Sequence, residues 1–165
     1  MMQARIRQAS LVAVVVAASV VVFAGTVFAQ SSNPLVGTWK LNIAKSKYNA
    51  GKAPKSSTTV IEAAGAGVKF TIDSVGVDGT VRHWTYTTNI DGKDSPIVGN
   101  ATQGDTAAAT RVDANTIRTV YKKGGTVTIT ATSVVSGDGK TRTNTGKGKD
   151  ALGQNTDSVQ VYEKQ

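Results

Sequence analysis

Val68-Lys69-Phe70-Thr71-Ile72-Asp73 decides the fold: three apolar side chains alternate with three polar ones. A period of two places Val68, Phe70 and Ile72 on one face of a strand, the pattern of a half-buried sheet. Working toward the C-terminus, Asp78-Gly79 is a turn signal, and the run beyond it sets Arg82, Trp84, Tyr86 and Thr88 against Val81, His83, Thr85 and Thr87. Later, Ile117, Thr119 and Tyr121 oppose Thr116, Arg118, Val120 and Lys122, and Val127, Ile129 and Ala131 alternate with threonines at 126, 128, 130 and 132. The last run is Val159-Gln160-Val161-Tyr162, its two valines facing one way. Gly65-Ala66-Gly67, Asp91-Gly92-Lys93, Asp113-Ala114-Asn115, Gly124-Gly125 and Asp138-Gly139-Lys140 supply the left-handed-tolerant residues of tight hairpins between runs.

Short turns make neighbouring strands antiparallel, and a long meander loses its edges only by closing on itself. Counting also Gly37 to Asn42, Thr58 to Ala63, Ser95 to Val98 and Thr106 to Val112, an all-β, up-and-down antiparallel barrel of about eight to ten strands is expected, with a β-sandwich as the alternative. No segment after residue 29 holds a helical apolar period over three turns. Asn42 to Ser57, with Lys45, Lys47, Lys52, Lys55, Gly51 and Pro54, reads as a loop.

Residues 1–29 read as an export signal set before a single domain at 30–165. Arg5 and Arg7 form a basic start, Leu11 to Phe23 is apolar apart from Ser19, and Val27-Phe28-Ala29 offers a cleavage site, with Ala24 as the rival. The competing reading is an uncleaved anchor, since Leu11 to Ala29 approaches the roughly 20 residues needed to cross a bilayer. Without cysteine there is no lipid attachment, disulfide or thiolate metal site, and the arginines are split by Ile6, unlike a twin-arginine signal. An exported location, periplasmic or secreted, is expected.

The 165-residue chain carries 19 Lys plus Arg, 11 Asp plus Glu and one His. Beyond the leader, 136 residues keep 17 basic and 11 acidic side chains, net +6, with 21 Thr and 16 Gly. That length suits one core, and threonine with valine and isoleucine favours pleated sheet. The basic residues are scattered, and Lys140 to Lys149 contains no aromatic, so a nucleic-acid partner is not expected. As a strand, that stretch puts Thr141, Thr143 and Thr145 on one face and Lys140, Arg142 and Asn144 on the other. An interior lined by those hydroxyls, and so a polar cavity, is one expectation; an exposed edge strand guarded by charge is the other.

Asn33-Pro34-Leu35-Val36-Gly37-Thr38-Trp39-Lys40-Leu41 contains a Gly-x-Trp element, Ser136 to Thr141 a late hairpin, and Val161-Tyr162-Glu163-Lys164 a closing strand. Together these resemble lipocalins and the related fatty-acid-binding proteins, the calycin barrels, and more broadly small exported bacterial proteins with lipocalin-like domains. The resemblance implies a ligand inside a barrel. Trp39 has a reading of its own, a large ring plugging one barrel end beside Gly37. Where the fatty-acid-binding pattern places an arginine two residues before the final tyrosine, this chain has Gln160 before Tyr162. A fixed bidentate partner for an anionic head group is thereby lost, with Arg118 or Arg142 as substitutes. The family's helical lid is also missing, which implies free access to the mouth, or no cavity.

Other chemistry is thinly represented. His83 is the only imidazole and reads as an exposed strand residue rather than a general base. Asp73, Asp78, Asp91 and Asp94 do not follow an EF-hand spacing, and Glu62 and Glu163 form no marked glycosidase pair. No catalytic residue, metal or cofactor is expected. The expected function is non-enzymatic binding of a small hydrophobic or amphipathic ligand within the barrel, lined by Trp84, Tyr86 and Tyr121 and hydrogen-bonded by Gln160 and Tyr162. A filled barrel acting as a structural or interaction protein of the envelope is the alternative. The processed chain is expected to be a monomer with no stable membrane insertion.

Overall fold

Alternating runs and tight turns give antiparallel sheet throughout. A computed structural model describes residues 33–165, and there the chain forms eleven strands with no helix. The expected signal segment, residues 1–29, lies outside the described residues. The strands are β1 Gly37–Ala50, β2 Ser56–Ala64, β3 Gly67–Val75, β4 Val81–Thr88, β5 Asp91–Pro96, β6 Val98–Gly99, β7 Thr106–Arg111, β8 Thr116–Lys123, β9 Thr126–Val135, β10 Thr141–Lys149 and β11 Asn155–Lys164.

They form one sheet in the order β5-β7-β8-β9-β10-β11-β1-β2-β3-β4-β6, every pairing antiparallel. Its two end strands, β5 and β6, are successive pieces of one segment joined through Ile97. That segment pairs with β7 through Asp91–Pro96 and with β4 through Val98 and Gly99. The ladder therefore returns on itself as a nearly closed barrel rather than a sandwich. The strand count exceeds the expected eight to ten, partly because this seam divides into two short strands.

The seam rests on unusual backbone. Ile90 lies in the left-handed region at φ 58°, a costly place for a β-branched residue, with its side chain buried and its N–H donating to Thr88 Oγ1 at 3.1 Å. Gly99 sits at φ 114°, and a Cβ there would lie 2.2 Å from the His83 carbonyl oxygen. Gly99→Ala is accordingly expected to cost about 1–3 kcal/mol and to speed hydrogen exchange at the Asn100 amide, which donates to His83 O. Unchanged exchange there would show that the seam accommodates the methyl group.

Two expectations need correction. Asn42 to Ser57 is not a loop: β1 continues to Ala50, β2 begins at Ser56, and only residues 51–55 lie between. A bulge between Asn42 and Lys47 lets β1 resume pairing with β11 at Lys47–Val159 and Tyr48–Ser158. Backbone pairing sustains this half of the strand where apolar alternation is absent. On β10 the faces are reversed: Arg142 and Gly146 are buried and Asn144 lines the interior, whereas Thr141, Thr143 and Thr145 face away. The interior is polar there, through a guanidinium and an amide rather than threonine hydroxyls.

The barrel floor is apolar. Leu35, Trp39, Ile61, Val68, Ala107, Ala109, Ile117 and Val135 are almost completely buried, and Trp39 Nε1–H donates to Leu35 O at 2.8 Å. Burying the indole with its one donor satisfied is how a tryptophan closes a barrel end without an orphaned polar atom.

Candidate functional site

Above the floor the barrel is hollow. An inner chamber of about 230 Å³ is lined by inward residues of β2, β3, β4, β8, β9, β10 and β11. An outer chamber of about 800 Å³ lies at the mouth, between the β1–β2, β3–β4 and β10–β11 turns. Arg82, Gln103, Ile129, Ser158 and Gln160 are among the residues lining both, so one opens toward the other. The loop between β6 and β7 leans across the opening. Ala151 N–H donates to Thr102 O at 2.7 Å, and Thr128 Oγ1–H donates to Gln103 O. Access is therefore narrower than the lack of a helical lid implied.

Opposite walls of the inner chamber differ in chemistry. One is aromatic. Phe70 of β3 stacks on Tyr86 of β4 with ring centroids 4.6 Å apart, and Trp84 lies nearly parallel to Tyr86 at 5.8 Å. Tyr121 of β8 meets Trp84 and Tyr86 edge-on at 6.2 and 6.5 Å. Phe70 opposes Tyr86 across the β3–β4 ladder, so cross-strand pairing assembles this wall.

The other wall is polar. Asn144 Nδ2–H and Tyr162 Oη–H both reach Gln160 Oε1 at 3.4 Å, with Ser133 and Ser158 nearby in the lining. Arg142 is 6 % exposed. Its guanidinium lies 4.4 Å from the Tyr162 ring centroid and 5.7 Å from that of Trp39, and Nη1–H donates a long 3.4 Å hydrogen bond to Ser133 Oγ. Nε has no hydrogen-bond partner, and among the described residues no carboxylate pairs with this cation. Burial lowers its pKa from the usual arginine range. At the mouth, Tyr48 Oη and Gln103 Oε1 are likewise buried without partners.

Burial drives the phenols upward: Tyr86 well above its ordinary 10.0, and Tyr121 and Tyr48 in the same direction. An acid whose folded pKa is raised stabilises the fold fully below its unfolded value, and that contribution is lost as pH climbs toward the folded one. Stability should therefore decline above pH 10.0. Tyrosinate absorbance of wild type against Tyr86→Phe should place Tyr86 ionisation above that of an unfolded control. Ionisation at the unfolded value would mean that this wall is open to water.

The five residues expected at the site, Trp84, Tyr86, Tyr121, Gln160 and Tyr162, all line the inner chamber. Sequence reasoning missed Phe70 and Asn144 as lining and left Arg142 undecided. A signal existed for Arg142. It is the cross-strand partner of Tyr162 about the Asp150–Gln154 turn, and directly paired residues share a face. Arg118 is exposed. His83 is on the outer wall, its Nδ1 2.7 Å from Asp73 Oδ1, with both side chains more than half exposed. Asp78 accepts from Thr80 N–H in its turn, Asp91 accepts from Lys93 N–H at the irregular start of β5, which is strand rather than the expected hairpin turn, Asp94 pairs with Lys122, and Glu163 with Lys45.

The fold and its interior define a class: a nearly closed antiparallel barrel, compatible with calycin architecture, enclosing a chamber with one aromatic and one polar wall. No family model matches the chain, and no curated protein matches it.

Proposed function

We propose that the chain is an exported, non-enzymatic binding protein that holds a small, partly apolar molecule inside its barrel. The observation that carries this reading is the inner chamber, where stacked aromatic rings face a polar wall that includes the buried Arg142. Binding sites for small molecules are concave, with apolar walls and a few convergent polar groups. A barrel serving only as a scaffold would gain more from filling such a space with side chains. Trp84, Tyr86 and Tyr121 supply apolar contact, and Gln160 and Tyr162 orient the polar end. The protein acts as a monomer in the periplasm or outside the cell.

Native mass spectrometry of the protein purified from the compartment where it accumulates should reveal a retained small molecule. A mass equal to the bare polypeptide in every preparation would overturn the reading.

A further inference from the structure

Deepening the binding reading, on which it rests, we propose that the ligand is a compact aromatic monocarboxylate, its carboxylate held by Arg142 on the polar wall and its ring against the Phe70–Tyr86–Trp84 wall. Three observations lead there. The Arg142 guanidinium is buried, belongs to a residue that lines the inner chamber, and has no carboxylate partner among the described residues. Taking such a charge out of water is costly, and a planar bidentate anion is its natural complement. Nearby Tyr162 and Trp39 rings offset part of that cost but do not neutralise the charge.

Size supplies the second argument. At roughly 30 Å³ for a water-sized group, the 230 Å³ inner chamber takes about seven or eight such groups, and because bonded atoms pack closer than separate waters a substituted benzene ring with its carboxylate fills it. A long-chain fatty acid would have to thread its tail into the outer chamber, where Lys52, Asp78, Asp150 and Gln154 are mixed with Val77, Ile129 and Leu152. Such a mixed lining at an open mouth gives an alkyl chain only part of the apolar burial it needs.

Ring chemistry is the third. Phe70, Tyr86 and Trp84 present nearly parallel planes, with interplanar angles of 5° and 10°, and a flat ligand ring continues such an arrangement by offset stacking or meets Tyr121 edge-on. A flexible alkyl chain would gain area there without matching the geometry.

The test uses protein expressed from its full sequence and three probes, 4-hydroxycinnamate, its primary amide and palmitate, followed by calorimetry and tryptophan fluorescence. The acid should bind at least roughly tenfold more tightly than the amide, as a charge-assisted hydrogen bond implies, and more tightly than palmitate. Arg142→Met should erase the preference for acid over amide. Equal binding of acid and amide, or a preference that survives Arg142→Met, overturns the anion site. Tighter palmitate binding overturns the compact ligand while leaving the binding reading intact. Should none of the probes bind, this inference falls; the binding reading falls with it only if native mass spectrometry also finds no retained molecule.

Discussion

Trp39→Ala is expected to remove about 3–5 kcal/mol of folding stability. The indole is completely buried, is among the largest buried side chains, and closes the floor against Leu35, Ile61, Val68 and Val135. Its removal leaves a void that rigid strands cannot collapse to fill. It also abolishes the Nε1–H donation to Leu35 O, freeing the segment that precedes β1. Against the roughly 5–15 kcal/mol that holds a typical domain together, this loss is severe. Trp39→Phe keeps most of the apolar area and gives up the hydrogen bond, so about 1–2 kcal/mol should be lost instead. Urea denaturation of the two variants checks both magnitudes. A Trp39→Ala protein within about 1 kcal/mol of wild type, the cost of removing a single buried methyl group, would mean that the floor is held elsewhere.

The same tryptophan shows what could be read before any coordinates. Gly-x-Trp at the first strand marked a plug, and the plug is where the structure puts it. β3 and β4 were also legible, because each buries one face and leaves the other in water. Their pairing brings Trp84 and Tyr86 inward beside Phe70 and Ile72. Legibility failed wherever the interior itself is polar. The second half of β1 borders the outer chamber, so its inward Tyr48 and outward lysines give no apolar alternation. β10 is harder still. Its two faces carry threonines or Arg142 and Asn144, and hydrophobicity does not discriminate between them; the register to Tyr162 does. The seam is legible only in part: Ser95 to Val98 reads as a strand, but Asp91-Gly92-Lys93 reads as a hairpin turn and instead opens β5. Asp91–Gly99 divides its pairing between β7 and β4, a consequence of closure that leaves no local periodicity.

Arg142→Met should raise stability by about 1–4 kcal/mol, the opposite sign from most buried truncations. In the wild-type barrel the guanidinium has been taken out of water, yet it receives only a long bond with Ser133 Oγ and the faces of Tyr162 and Trp39. Cation–π contacts return on the order of 2 kcal/mol when desolvated, less than the several kcal/mol that burying an ion costs. Methionine keeps much of the volume, adapts its shape to the gap and carries no charge. Arg142→Lys provides the control: it retains a buried cation but loses the planar fork, so the gain should be absent. Thermal and urea midpoints of the three proteins, measured without ligand, decide the matter. If Arg142→Met is destabilised by more than about 1 kcal/mol, a scale at which packing and pairing losses are resolved, then the arginine supports the fold rather than straining it. The gain expected on its removal would mark stability held in reserve for an anion.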